Sequence, residues 1–275
     1  MQAAAGGDSR ESLPNSSRKD GVLTPNAYLA SIIKSYRLPT GINLSPPLAA
    51  KALCVALRQW AGQFLIRIRP SGSFAKGTAI RGCSDLDLFV SLKPQTPDSL
   101  EDLYHKLGAY LTQVGYQVRP QNVSVHVVCG GLQIDVTPAK KQPGITSDHS
   151  LYVSKTKTWT KTNVYKHIRI IASSTRRPEI VLAKVWRQCH NLDFPSFYLE
   201  LSVIRALAGK PSGQLAQNLA HFLNYLVNEF VDAIIVDPSN TANAVSDMLT
   251  AQEKQIIASA VRASLAARTW GEIIW

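Results

Sequence analysis

Two aspartates, Asp85 and Asp87, open the run Asp85-Leu-Asp87-Leu-Phe-Val-Ser-Leu92, in which Leu86, Leu88 and Val90 alternate with Asp85, Asp87 and Phe89. That period of two predicts a strand with both carboxylates on one side. Like charges so close repel unless a cation lies between them, and carboxylate oxygens are hard donors that select Mg²⁺ or Mn²⁺. Upstream, Gly72-Ser73 follows an apolar run from Phe64 to Ile68 and precedes a segment, Phe74 to Ile80, that could make a turn of helix. Glycine lets the backbone approach an anion closely, and the free N–H groups of a helix start attract phosphate. A cation site beside a phosphate cradle implies chemistry on a triphosphate.

A third carboxylate follows from a hairpin pattern. Val123 to Cys129 and Leu132 to Pro138 flank Gly130-Gly131, and a glycine pair between alternating runs is a hairpin signal. Leu132, Ile134 and Val136 should face the core, with Gln133 and Asp135 facing away. A two-residue loop pairs Cys129 with Leu132, which sets His126 across from Asp135. His126 then neighbours the third carboxylate, unless it is a half-buried strand residue with no role.

The elements that must hold these groups can be read in outline. Residues 1 to 22 lack periodicity and are expected to form a flexible tail. Thr24-Pro25-Asn26 reads as a helix entry, with Leu29, Ile32, Ile33 and Tyr36 on one face, and Pro46 to Gly62 reads as a second helix. Leu100, Leu103, Leu107, Tyr110 and Leu111 recur at helical spacing. From Asp148 to Glu179 seven lysines and arginines, Lys155 to Arg177, pass without an acid, with Tyr152, Trp159 and Tyr165 interleaved as faces on which bases could stack, unless the stripe is a solvated surface of no specific purpose. The remainder is helical in pattern over Val164–Ser173, Pro178–His190, Pro195–Ala208, Gln214–Phe230 and Thr250–Ala267.

Composition narrows the partners. Lysine and arginine outnumber the acids 30 to 19 in 275 residues, a net charge of +11 that favours a polyanion over a membrane surface. Cys54, Cys83, Cys129 and Cys189 have no spacing that would hold zinc and are expected to be reduced thiols. With no apolar run long enough to span a bilayer and no secretory h-region, a cytoplasmic location is expected.

Gly72-Ser73, eleven intervening residues and Asp85-Leu-Asp87-Leu together resemble the signature of the DNA polymerase beta nucleotidyltransferase superfamily. With Gly77-Thr78 and Ser84 the fuller pattern is similar to that of oligoadenylate synthases, archaeal CCA-adding enzymes and bacterial cGAS-like nucleotidyltransferases (CD-NTases). In the second half, Ala183-Lys184-Val-Trp186 and Pro195-Ser196-Phe197-Tyr-Leu-Glu200-Leu201 resemble two helices of oligoadenylate synthases and CD-NTases. Asp237-Pro-Ser-Asn240-Thr-Ala-Asn243-Ala-Val245 is similar to a further segment of theirs, from which Thr241 and Ala244 depart. The likeness covers about residues 45 to 275.

The resemblance implies an α+β, bilobal fold. A mixed-sheet catalytic lobe over 23–145 would precede an α-helical nucleotide- or substrate-binding lobe over 146–275, with the active site in the cleft. It implies Asp85, Asp87 and Asp135 as catalytic carboxylates holding two Mg²⁺ or Mn²⁺ ions. Gly72, Ser73, Thr78 and Ser84 would bind nucleotide. Lys184 and Ser196 would touch its triphosphate, and Phe197 would stack on its base.

The expected activity is template-independent joining of nucleoside triphosphates into short linear or cyclic oligonucleotides, with release of pyrophosphate, as a signal in antiviral defence. A downstream effector protein would bind the product. The alternatives are nucleotide addition to tRNA or other RNA ends, with an oligonucleotide or RNA acceptor as partner, and an inactive nucleotide or nucleic-acid sensor. A CCA-adding enzyme would need further tRNA-binding domains after Trp275, and a sensor would be expected to have lost a carboxylate. Base, sugar, linkage, activator and oligomeric state are not legible.

Overall fold

The structure, a computed structural model, describes residues 23–38 and 48–275. The tail expected over 1–22 and the start expected at Pro46 for the second helix lie outside the described residues. Among the described residues no helix is long and apolar enough to cross a membrane.

One mixed sheet carries the aspartates. Its strands are β1 (Leu65–Pro70), β2 (Leu86–Leu92), β3 (Gln117–Pro120), β4 (Val125–Cys129), β5 (Leu132–Lys141), β6 (His149–Val153) and β7 (Thr158–Thr162). They lie in the order β1-β2-β5-β4-β3, and β6 pairs with both β5 and β7. β2 and β5 run parallel, and the remaining pairs are antiparallel. β2 is central and buried along almost its whole length, which its near-continuous apolar sequence requires.

One face of the sheet is covered by α2 (Leu48–Ala61) and α4 (Leu100–Gln113). Leu53 and Leu57 of α2 and Leu103, Leu107 and Leu111 of α4 meet Leu86, Leu88, Val90, Val127, Ile134 and Val136 from the strands. Each such side chain withdrawn from water contributes about 1.5–3 kcal/mol. α4 starts at a capping box: Ser99 Oγ accepts from Asp102 N, and the Asp102 carboxylate accepts from Ser99 N.

The other structural group is helical: α1 (Pro25–Tyr36), α5 (Val164–Ser173), α6 (Arg177–Cys189), α7 (Ser196–Ala206), α8 (Leu215–Asn228), α9 (Ala251–Leu265) and α10 (Trp270–Ile273). A short hairpin of β8 (Val236–Asp237) and β9 (Asn240–Ala244) joins α8 to α9. Trp186, Tyr198, Phe222, Phe230 and Val261 fill its core together with Leu29 and Ile32 of α1. α1 therefore packs with helices far downstream in sequence. The sheet in turn runs through β6 and β7 to Thr162.

Within the basic stretch the side chains divide. Tyr152 is buried with its hydroxyl donating to Glu101, so it offers no stacking face, contrary to the sequence expectation. Arg176 is buried as well, donating to the carbonyls of Leu207 and Lys210. Lys155, Lys157, Lys166 and Trp159 are exposed.

Candidate active site

The sheet register assembles the acidic groups. Parallel pairing sets Asp87 of β2 opposite Asp135 of β5, and antiparallel pairing sets His126 of β4 opposite the same Asp135. Strand alternation turns all three away from the core that holds Leu86, Leu88, Ile134 and Val136. Asp85 lies just ahead of β2 and is exposed. Donor atoms of Asp85, His126 and Asp135 all lie within 4.8 Å of one another.

Asp135 is oriented by its neighbours. Its Oδ1 accepts from Gln121 Nε2 at 3.1 Å and meets His126 Nδ1 at 2.7 Å, while His126 Nε2 meets Gln133 Oε1 at 2.5 Å. Asp135 Oδ2 has no hydrogen-bond partner among the described residues.

Asp87 resists ionisation: burial, then Asp135, pushes its carboxyl up to about 6 from 3.8, against the pull of Lys76 and Lys184. Burial raises Asp135 as well, with Asp85 adding to the rise and His126 opposing it. Mutually repelling, partly buried carboxylates are the electrostatic condition that a divalent cation relieves, and this oxygen-rich donor set suits Mg²⁺ or Mn²⁺. The residues present therefore fit a metal centre.

The glycine-serine loop is built against these groups. Gly72 opens α3 (Gly72–Lys76) at φ +53°, and a Cβ placed there would fall 1.7 Å from Asp87 Oδ2. Glycine is thus required twice, by the left-handed backbone and by the carboxylate that occupies the space. Ser71 N donates to Asp87 O at 2.9 Å and ties the loop to β2. The Ser73 hydroxyl has no partner among the described residues, and its carbonyl accepts from Thr78 N at 3.0 Å. Ser84 Oγ accepts from Ile80 N at 3.0 Å, a bond that shapes the turn leading into Asp85.

Behind the loop lies a buried ionic cluster. Glu200 of α7 accepts from Lys76 Nζ at 2.8 Å, Lys184 Nζ at 2.7 Å and Thr78 Oγ1 at 2.8 Å. Lys184 Nζ also donates to Thr78 Oγ1 at 3.0 Å. The two ammonium groups hold the Glu200 carboxyl down at about 2 although burial opposes them. Lys184 is only 1% exposed, and its hydrogen bonds go to Thr78 and Glu200. Neither it nor the fully buried Thr78 lies open to solvent.

Ser196 and Phe197 stand at the start of α7. Ser196 Oγ accepts from Arg187 Nη1 at 3.0 Å, which leaves its hydroxyl proton free. Lys76 Nζ lies 4.4 Å from the Phe197 ring centroid, and the His167 ring centroid is 4.3 Å from it. His167 Nε2 is in turn 2.8 Å from Asp237 Oδ1 and 2.7 Å from Ser239 Oγ, so the Asp237-Pro-Ser segment fixes the histidine that backs Phe197. Sequence reasoning assigned no part in the site to Lys76, Glu200 or His167. Lys76 and Glu200 stand inside the two motifs quoted for it, but only the folded chain brings them into contact.

The site thus sets a parallel strand pair presenting acids beside a Gly-Ser turn, with helices supplying buried cations behind it. Residues 56–125 match the family model described as nucleotidyltransferase domain. The chain is 28% identical over 210 residues to the cyclic AMP-AMP-AMP synthase of Escherichia coli (strain MS 115-1), across 67% of this chain and 65% of that protein. The match thus spans less than two thirds of the relative's length. Among solved structures, E. coli MS115-1 CdnC with ATP superposes at a TM-score of 0.69 and 24% identity, covering 89% of this chain and 96% of the other. The Elizabethkingia meningoseptica CdnE cyclic dinucleotide synthase with GTP and Apcpp gives a TM-score of 0.68 at 17% identity, over 87% and 98%. Residues 56–125 thus resemble a nucleotidyltransferase domain, and the chain shares the fold of these synthase structures.

Proposed function

We propose that this protein is a template-independent nucleotidyltransferase that joins nucleoside triphosphates into short, cyclic oligonucleotides with release of pyrophosphate, as an intracellular antiviral signal read by an effector protein. The observation that carries the reading is the convergence of Asp85, Asp87 and Asp135 beside Gly72-Ser73. A cyclic rather than linear product, built at least in part from adenylate, is favoured by the likeness to a cyclic AMP-AMP-AMP synthase. The work would divide between a sheet lobe and a helical lobe, with nucleotide held between them.

Asp85, Asp87 and Asp135 would hold two divalent cations, Mg²⁺ or Mn²⁺. Bound there, the ions supply acidity to a 2′- or 3′-hydroxyl and neutralise charge on the triphosphate. The protein's own residues do the remaining work. His126 and Gln121 fix the rotation of the Asp135 carboxylate. Ser73 and the unpaired N–H groups that begin α3 face the phosphates. Lys76 and Lys184, together with Glu200, leave one uncompensated positive charge behind the loop, and it favours the ionised form of Asp87. Phe197, held by His167, offers a ring to the base. The exposed hydroxyl of Ser196 keeps a proton to donate to phosphate.

The test is incubation of the purified protein with all ribo- and deoxynucleoside triphosphates, Mg²⁺ and Mn²⁺, followed by mass spectrometry of the products. Oligonucleotides formed from mononucleotides alone support the reading. In a parallel incubation with RNA added, nucleotide found only on the RNA would replace it with terminal nucleotide addition.

A further inference from the structure

The face of the sheet that carries Asp87 and Asp135 continues away from them to a second cavity, where Ile66, Phe89 and Val164 stand beside cationic side chains. Along β2 the residues on that face are Asp87, Phe89 and Ser91, and along β5 they are Asp135, Thr137, Ala139 and Lys141. Antiparallel pairing sets Arg69 opposite Phe89 and Arg67 opposite Ser91. At the rise of an extended chain, Phe89 and Ser91 lie about 7 and 13 Å along β2 from Asp87. Arg67, Arg69, Lys141, Ser147, His149 and Tyr165 contribute to a cavity of about 130 Å³ at this place.

The cavity is cationic without compensation. Arg69 is 9% exposed, yet neither it, Arg67 nor Lys141 forms an ion pair with a carboxylate among the described residues. A buried guanidinium ordinarily pairs with an anion, because its desolvation is otherwise unrelieved. The nearby Asp148 carboxylate accepts instead from Asn163 Nδ2 at 2.7 Å. Burial first, then Arg67, lowers Arg69 to about 10, the direction expected where no acid offsets the charge.

The arginines are also held in place. The Tyr165 ring lies 3.4 Å from the Arg69 guanidinium carbon, and its hydroxyl accepts from Arg67 Nη1 at 3.1 Å. His149 Nδ1 is 2.9 Å from Ser147 O and its Nε2 is 2.7 Å from Ser91 Oγ, so the imidazole is fixed at both nitrogens. The volume is below the roughly 300 Å³ of a pocket that encloses a drug-sized ligand, which suits a single charged group.

We propose that this cavity is a phosphate site. It takes the end of the polyphosphate chain of a nucleotide whose sugar lies toward Asp87 and Asp135. Arginine forks match phosphate oxygens in geometry as well as charge. The nucleotide assignment rests on the nucleotidyltransferase reading; the phosphate chemistry does not.

The test uses the full chain in EDTA at constant ionic strength, titrated with inorganic phosphate and separately with ATP, while NMR follows the His149 imidazole. Saturable shifts with both ligands are expected, with ATP binding the tighter. Arg69→Met should weaken both by about tenfold or more, as loss of a charge-assisted bond does. Arg67→Gln, at an exposed position, should act in the same direction and covers the case in which Arg69→Met fails to fold. Binding unchanged in folded variants overturns the site. Equal affinity for ATP and phosphate overturns the nucleotide assignment and makes the ligand a free phosphate. Should Arg69-dependent phosphate binding persist while the wild type incorporates no nucleotide, the catalytic reading fails and the phosphate site stands.

Discussion

At the scale of single residues, Asp87 is the most constrained group. Its folded pKa, about 6 against 3.8, means that its ionised form costs stability above pH 6 and that the cost vanishes below 3.8. Asp87→Asn should therefore stabilise the metal-free protein at alkaline pH, by at most about 3 kcal/mol. The gain should fade as pH drops through that window, as urea denaturation in EDTA would report. A stabilisation independent of pH would contradict this assignment of the cost. Gly72→Ala forces the Asp87 carboxylate to move and should lower turnover by about 100-fold, since misplacement of about 1 Å costs that much. Gly213 has φ +83° with open space around it, so Gly213→Ala isolates the backbone strain and should leave turnover unchanged. The placement of Asp87 and Asp135 on strands was legible in sequence, because the period of two and the Gly130-Gly131 turn set it. Lys76 and Glu200 were not, because their meaning comes from a contact across 124 residues.

At the scale of elements, the β4–β5 hairpin was readable residue by residue. Gly130-Gly131 limits the loop to two residues, and that alone sets Cys129 opposite Leu132 and His126 opposite Asp135. The β6–β7 hairpin was not readable. Its turn carries Lys157 at φ +52° rather than a glycine, and β7 is polar apart from Trp159, so the stretch reads as charge rather than as strand. The Glu200 cluster joins α3, α6 and α7, and removing its anion strands two buried ammonium groups. Glu200→Ala should cost about 3–5 kcal/mol. Because Glu200 is depressed to about 2 from 4.5, its contribution is complete above pH 4.5 and lost as pH falls toward 2. Denaturant titration of the variant against pH should show the deficit shrinking over that range. A neutral effect of Glu200→Ala at pH 7 would mean that water reaches the lysines.

At the scale of the molecule, helical periodicity identified α4 to α9, while the placement of α1 could not be read. An amphipathic helix declares which face is buried and not what covers it, and Leu29 and Ile32 proved to pack with α6 and α8. The whole-chain charge of +11 should draw nucleotides by a long-range field. The KM for nucleoside triphosphate should therefore rise with ionic strength between low and physiological salt, where the screening length shrinks to about 8 Å. A salt-independent KM would place the attraction wholly in short, buried contacts. The central claim is that three carboxylates on one sheet face form a cation-dependent transfer site. It is tested most directly by product formation from mixed nucleoside triphosphates with Mg²⁺ or Mn²⁺, comparing the wild type with the separate Asp85→Asn, Asp87→Asn and Asp135→Asn variants, each shown to be folded. Oligonucleotide products from the wild type, abolished by EDTA and by each substitution, are the predicted result. Undiminished product from a folded Asp135→Asn protein would contradict the account.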